Sequence, residues 1–237
     1  MSMEPKIVYE DNDLLVIDKP SGWITNNAST VTNQPVIQKW LKENFKYPIS
    51  HDDLLRSGVV HRLDKETSGI LLIAKTREAF EKLQAEFKER KIEKSYLALA
   101  HGKIEPKEGT IEVTVGRLPW RRDRFGVLPG GREARTDYQV QEYYQKGNEV
   151  FSLVKIFPKT GRTHQIRIHL KHLGHPIVAD NFYAGRKTSR NDRKWCPRLF
   201  LHAFSISFLH PISGKRISFE TKIPDDLQGV LNSLTSL

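Results

Sequence analysis

What is scarce in this chain narrows its class before any motif is considered. Its 237 residues include a single cysteine, Cys196, so neither an internal disulfide nor a cysteine-rich zinc site can form. The longest unbroken aliphatic run, Ile70 to Ala74, falls far short of the ~20 residues that cross a bilayer. The opening stretch, MSMEPKIVYEDND, is acidic and has no apolar core. No secretory signal is therefore expected, and the chain reads as cytoplasmic. Neither a phosphate-binding P-loop nor a dinucleotide fingerprint occurs. Repeats, low-complexity tracts and convincing linkers are also missing. That predicts one domain over 1–237, with its core at about residues 7–224.

Positive charge is what the chain has in excess. Lys and Arg number 38 against 28 Asp and Glu, a formal net charge of +10. Two stretches hold nearly all of it. Residues 117–135 carry six arginines against Asp123 and Glu133, and residues 186–198 carry six Lys or Arg against Asp192. Both are rich in Gly, Pro, Ser or Asn and poor in apolar periodicity, so both read as exposed loops. Trp120, Phe125 and Trp195 are interleaved with the cations, a mixture suited to phosphate contacts and base stacking. A basic surface that only aids solubility would spread its charge; here it is focused, and nucleic acid is the expected partner.

Hydrophobic spacing predicts a mixed pattern. Strands are expected at Leu14–Ile17, Val59–Val60, Ile70–Ala74, 95–101, 111–115, 135–142, 150–157 and 163–170, and a hairpin pairs 199–209 with 216–221. Helices are expected over 35–45, over 77–90 with Thr76 as its cap, and near the end with Asp225 as its cap. Few helices and many hairpins make an α+β fold with a mixed, mainly antiparallel central sheet and flanking helices.

Three segments carry the candidate chemistry. The loop His61-Arg62-Leu63-Asp64-Lys65-Glu66-Thr67-Ser68-Gly69 is pinned between two apolar runs and can hold a side chain rigidly. Asp64, in the company of His61, Arg62 and Lys65, can act there as nucleophile or base; a salt-bridged turn would look the same. In the segment 160–170, strand alternation puts Ile166, Ile168 and Leu170 on the core side and Thr163, Gln165, Arg167 and His169 on the other. That polar face is either a cleft wall or a solvated surface. In Lys94-Ser95-Tyr96-Leu97-Ala98, the tyrosine sits among small residues with room for a flat ligand, though a core tyrosine would fit as well. His164, His169, His172 and His175 crowd one stretch, but the first two fall on opposite faces of the expected strand and no H-E-x-x-H or C-x-x-C accompanies them. No metal site is expected.

As an ordered set, these segments resemble the RluA-type RNA pseudouridine synthases. The resemblance starts at Leu14-Leu15-Val16-Ile17-Asp18-Lys19-Pro20-Ser21-Gly22. It continues through HRLDKETSGILLIAKT at 61–76, KSYLALAHG at 94–102, TGRTHQIRIHL at 160–170, LGHPIVAD at 173–180 and LHAFSISFLHP at 201–211. It implies a mainly antiparallel fold with an RNA cleft and the conversion of uridine to its C-glycoside without cofactor or metal. By position, Asp64 resembles the catalytic aspartate, Tyr96 the tyrosine that stacks on the flipped base, and Arg167 the basic partner of the aspartate. Arg62 resembles the arginine that enters the space left by the base. His61 supports its loop, while Thr67, Arg162, His164, Gln165 and Leu201 fall beside these positions as substrate contacts. Arg121, Arg122 and Arg124 are the expected phosphate contacts of the first basic stretch. Since the pattern starts near residue 7, the small N-terminal RNA-binding module of many relatives is not expected here. The implied substrate is tRNA, rRNA or both, acted on by a monomer with no obligatory protein partner. The competing readings are a non-catalytic RNA-binding protein and a metal-dependent nuclease.

Overall fold

A computed structural model describes residues 4–26, 34–121 and 124–237. In chain order the strands and helices begin with β1 (Lys6–Glu10), β2 (Leu14–Lys19), α1 (Ile37–Asn44), β3 (Ser68–Ala74) and α2 (Arg77–Lys88). There follow β4 (Glu93–His101), β5 (Glu108–Arg117), β6 (Phe125–Val127), β7 (Arg132–Lys146), β8 (Glu149–Pro158), α3 (Gln165–His172) and α4 (Arg186–Asp192). The chain closes with β9 (Leu201–Leu209), β10 (Arg216–Glu220), α5 (Asp225–Asn232) and β11 (Thr235–Ser236). No helix among the described residues is long and apolar enough to cross a membrane.

The chain divides into two compact units, Met1–Lys94 with Ala203–Lys222, and Ser95–His202 with Ile223–Leu237. In the first, the strand order is β1-β2-β3-β9, with β10 added to β9. Both β2 and β3 are continuous apolar runs because they are covered on both faces: Leu14 to Ile17 and Leu71 to Ala74 are all fully buried. Thr76 caps α2 as its position predicts, its hydroxyl accepting from the Ala79 amide at 3.2 Å, and Ala79, Phe80 and Leu83 are the buried stripe. Gly69 has φ +112°, and a Cβ there would lie 2.2 Å from the carbonyl oxygen of Ala203 on β9, so only glycine lets the two strands approach.

In the second unit, the order is β4-β8-β7-β5-β6, every pair antiparallel, with β11 on β7. Its apolar core runs from Ala98, Leu99 and Ala100 through Phe151, Val154 and Ile156 to Leu227 and Leu231. The α+β class and the mainly antiparallel sheet are as expected.

Five local expectations are overturned. Val59–Val60 is not a strand: Val59 makes only an isolated bridge to Ile73. Residues 163–170 are not a strand: 165–172 form α3. This helix lies between two apolar clusters, with Ile166 and Leu170 in one and Ile168 in the other. A helix buried on both sides shows no amphipathic stripe, and its alternating isoleucines imitate a strand. Thr163, Gln165, Arg167 and His169 therefore do not share one exposed face; the last three are buried. The second basic stretch is likewise not a plain exposed loop. Residues 186–192 form α4, and Ser189, Asp192, Cys196 and Arg198 turn inward. Its inward groups are polar, so hydropathy could not reveal the helix. The first basic stretch is largely hairpin, since β5 runs to Arg117 and β7 begins at Arg132; Arg122 lies outside the described residues. Finally, Asp225 is not a cap but the first residue of α5, which Pro224 precedes; Asp225 and Asp226 favour the helix by lying in its first turn.

Candidate active site

In the first unit the loop bearing Asp64 is held from below by the segment that follows β2. Lys19 is fully buried, and its ammonium donates to the carbonyls of Pro20 (3.0 Å), Trp23 (2.9 Å) and Lys65 (3.3 Å). Three donors meet three acceptors, which is what makes a buried ammonium tolerable. The Gly22 amide adds a second bond to Lys65 O at 2.8 Å, and Ser21 Oγ donates to Glu66 O at 2.8 Å. Thr25 Oγ1 donates to Leu63 O at 2.9 Å and accepts from Leu63 N at 3.2 Å. Thus the carbonyls of 63, 65 and 66 are all bound, and the backbone either side of Asp64 is set. Asp64 is half-buried at the head of a turn closed by the Thr67 amide on Asp64 O (3.1 Å); Thr67 is buried and Arg62 is exposed. The sequence comparison took Lys19 to Gly22 only as the end of the first segment that resembles the family. A lysine closing an apolar strand was the signal that it does more.

His61 faces the other way. Its Nε2 accepts the Leu72 amide at 2.9 Å, which places the ring proton on Nδ1, and the ring stacks on Phe87 with centroids 5.0 Å apart. Burial, and secondarily the nearby Lys94 ammonium, pushes its pKa down to about 3. A neutral imidazole committed to β3 supports the loop and takes up no second proton at neutral pH. Lys94 lies over the same Phe87 ring at 5.5 Å, and burial pushes its own pKa down to about 8.

In the second unit, Tyr96 stands half-buried on β4 at the edge of the main core, opposite Ile156 of β8. Arg167 is 3% exposed and forms a two-pronged pair with the fully buried Asp180, Nε to Oδ2 and Nη2 to Oδ1, both at 2.8 Å. Asp180 Oδ1 also accepts the amides of Phe182 (2.8 Å) and Tyr183 (3.1 Å), and the guanidinium lies 5.2 Å from each of those two rings. A planar cation set beside two rings with a fork-matched carboxylate has one orientation. Asp180 was named in the motif comparison but its pairing was not anticipated, because 13 residues and a helix separate it from Arg167.

The remaining predicted residues surround α3. Gln165 is buried and its amide is fully used: Oε1 accepts from Thr160 Oγ1 (2.7 Å) and Arg162 N (2.9 Å), and Nε2 donates to Arg135 O (3.0 Å) and Thr136 Oγ1 (2.9 Å). Arg162 is half-buried, its Nε donating to Glu133 O at 3.1 Å. His164 precedes α3 with φ +56°, the kink that breaks the expected strand. Tyr183 commits its hydroxyl proton to Phe125 O (3.1 Å), so His164 Nδ1–H donates to the phenol oxygen (2.9 Å). His169 is fully buried; neither ring nitrogen has a hydrogen-bond partner among the described residues, and burial, then His172, lowers its pKa to about 4. Leu201, at the start of β9, is buried. Arg124 donates to Phe182 O at 3.0 Å, Arg121 is exposed, and Trp120 is 74% exposed at the hairpin tip.

The histidines of 164–175 form no ligand cluster among the described residues. The trio that does come together is Asp11, Asp13 and His210. There the Asp11 carboxylate already accepts from Tyr9, His210 and two backbone amides, so the trio is a polar knot joining a turn to the end of β9.

A family profile described as RNA pseudouridylate synthase matches residues 13–172. The ribosomal large subunit pseudouridine synthase D of Nitrosomonas europaea is 36% identical over 235 residues, covering 98% of this chain and 66% of that protein. The protein of the same name from Haemophilus influenzae is 36% identical over 236 residues, covering 96% and 70%. The chain thus spans about two thirds of the length of these curated relatives. Among solved structures, human RNA pseudouridylate synthase domain containing 1 is similar, with a TM-score of 0.77 and 28% identity over 98% of this chain and 89% of that one. The matched segment contains Asp64 on its tethered loop, Tyr96 on β4 and Arg167 on α3, and on these grounds the chain belongs to the RNA pseudouridylate synthase family, isomerases that act on RNA.

Proposed function

We propose that this chain converts specific uridines of ribosomal RNA, and of transfer RNA where the fold of the substrate permits, to pseudouridine. Asp64 supplies the carboxylate that reacts with the target nucleotide, Tyr96 the ring against which the flipped base stacks, and Arg167 the cation that balances the reacting carboxylate. Arg62, next to Asp64 and exposed, enters the space the base leaves. The observation that carries the reading is that one family match, 13–172, includes all three residues, with the Asp64 loop held through its backbone and the Arg167 side chain held by Asp180. The match also crosses the boundary at Ser95, which supports both units acting as a single catalytic domain. Ribosomal RNA is favoured because the similar curated proteins are named for the large ribosomal subunit.

A base in a duplex or stacked loop must leave the stack before it can react, at a cost of a few kcal/mol. Phosphate contacts offset that cost. The outward face of α4 supplies Arg186, Lys187 and Arg190, with Lys194 just beyond its end, all exposed, and the β5–β6 hairpin supplies Arg121 and Trp120. Gln165, whose polar atoms are occupied within the protein, and His61, whose Nε2 is bound to the Leu72 amide, position backbone instead of touching RNA. The enzyme works in the cytoplasm as a monomer and needs no protein partner, metal or cofactor. The test is tritium release from uracil C5-labelled, unmodified ribosomal and transfer RNA, assayed separately. Wild-type release with none from Asp64→Asn is the expected result. Release by Asp64→Asn at the wild-type rate overturns the assignment of Asp64, and no release from either RNA pool overturns the substrate.

A further inference from the structure

Within the second unit, Arg167 is only as well placed as Asp180, and Asp180 follows a residue in an unusual backbone conformation. Ala179 is fully buried with φ +60°, a left-handed geometry that alanine rarely adopts. Two residues at the end of α4 hold it there. Asp192, 3% exposed, accepts the Ala179 amide at 2.8 Å through Oδ2, and the same oxygen takes His101 Nε2 at 3.0 Å. Arg193 Nη2 donates to the Ala179 carbonyl at 3.1 Å and Nη1 to Pro197 O at 2.8 Å. Both faces of the Ala179 backbone are therefore gripped by neighbouring side chains of one short helix.

The segment before Ala179 is strapped to β4. His101 N donates to Pro176 O at 3.0 Å, Val178 N to Leu99 O at 2.9 Å, and His175 Nδ1 to His101 O at 2.7 Å. One end of the strap is thus fixed to the strand that carries Tyr96. The other end turns through Ala179 into Asp180, which fixes Arg167. Locally, one turn bond from the Asp180 amide to Ile177 O (3.2 Å) closes around Ala179, and the grip from α4 adds two side chains to it.

Resting on the reading of Arg167 given above, we propose that Asp192, with Arg193, is a positioning residue of the reaction: it holds Ala179 in the left-handed conformation that aims Asp180, and through it the Arg167 guanidinium. Asp192 touches no substrate in this account. Its acceptor oxygen is what matters, and its negative charge is secondary. α4 then has two faces with separate tasks, an outward cationic one and an inward one that sets the site.

Two readouts test this in the full-length chain. The first is the Arg167 side-chain Nε–H resonance, assigned by its loss in Arg167→Lys. The second is the single-turnover rate of tritium release, measured together with the Kd for the same RNA. Asp192→Ala is expected to shift or broaden the Arg167 resonance and to slow turnover about tenfold or more, as small misplacements of a charged group do. The Kd should stay within about twofold, because the outward cations are untouched. Asp192→Asn keeps the acceptor and is expected to behave as wild type. The decisive variant is Asp192→Ala combined with Ala179→Gly: glycine adopts the left-handed geometry unaided, so both readouts should recover. Should Asp192→Ala not fold, Arg193→Met removes the other half of the grip and is expected to show the same pattern at smaller size. A folded Asp192→Ala or Arg193→Met with wild-type resonance overturns the proposal, as does an Asp192→Ala defect that glycine at 179 leaves in place. A resonance that moves and recovers while turnover never changes upholds the positioning of Arg167 and overturns its catalytic role.

Discussion

The two units secure their functional groups by different means. Around Asp64, the tethers end on backbone: the carbonyls of Leu63, Lys65 and Glu66 are bound by Lys19, Ser21, Gly22 and Thr25. The loop's path is therefore set through its backbone. Around Arg167, the side chain itself is secured, by the paired carboxylate of Asp180 and two aromatic rings. A backbone tether is indifferent to which side chain the loop carries. A side-chain pair requires that arginine and that aspartate together.

The difference predicts unequal damage. Asp180→Ala leaves a guanidinium buried without its partner, and the expected loss is about 3–5 kcal/mol of stability. Urea unfolding would measure it, and a loss under about 1 kcal/mol would mean that water reaches Arg167 readily. Lys19→Met keeps the stem and removes the ammonium together with its desolvation cost, so about 1–3 kcal/mol is expected from the carbonyls left unbonded. Lys65 O keeps the Gly22 amide, which limits the effect. If Lys19→Met costs more than Asp180→Ala, the contrast between backbone and side-chain anchoring fails.

The pH dependence sharpens the comparison from the side of the Asp64 loop. His61 has a folded pKa of about 3 against an ordinary value of 6.5. The unfolded chain therefore binds the extra proton first. The stability due to neutral His61 is fully present above about pH 6.5 and is lost as the pH falls towards 3, at no more than about 1.4 kcal/mol per pH unit. His61→Gln offers an acceptor that does not titrate in this range. Its stability profile should be flatter between pH 6.5 and 4, and an unchanged slope would assign the acid sensitivity elsewhere. The smallest effect is expected at Ala179: Ala179→Gly in the otherwise native chain relieves a left-handed alanine at some cost in unfolded-chain entropy, for a net gain of about 0.5–1 kcal/mol. A loss of stability there would show that the Ala179 methyl contributes packing that outweighs the strain.

Much of this was legible in the residues. β2, β3, β4, β5, β7 and β8 follow from apolar runs and alternation, and α2 from its stripe and its Thr76 cap. Asp64, Tyr96 and Arg167 are proposed as site residues because each stands in one of the ordered motifs. α3 was misread as a strand because burial on both faces removes the period that distinguishes helix from strand. α4 escaped because its inward side is Ser189 and Asp192, which no hydropathy pattern marks as inner. Lys19 closes an apolar strand, but its own stretch of sequence does not show the Lys65 carbonyl that joins those of Pro20 and Trp23 around it.

The sequence by itself determined the class of the fold, the family, the loop that carries Asp64 and the cationic character of the surface. These are properties of local patterning and of ordered motifs, and they need no knowledge of what is close in space. Tertiary structure alone decided which polar groups are buried and with whom: Lys19 with three carbonyls, Arg167 with Asp180, and Ala179 between Asp192 and Arg193. A buried charge or a left-handed alanine is tolerable only where partners converge on it, and those partners come from distant parts of the chain.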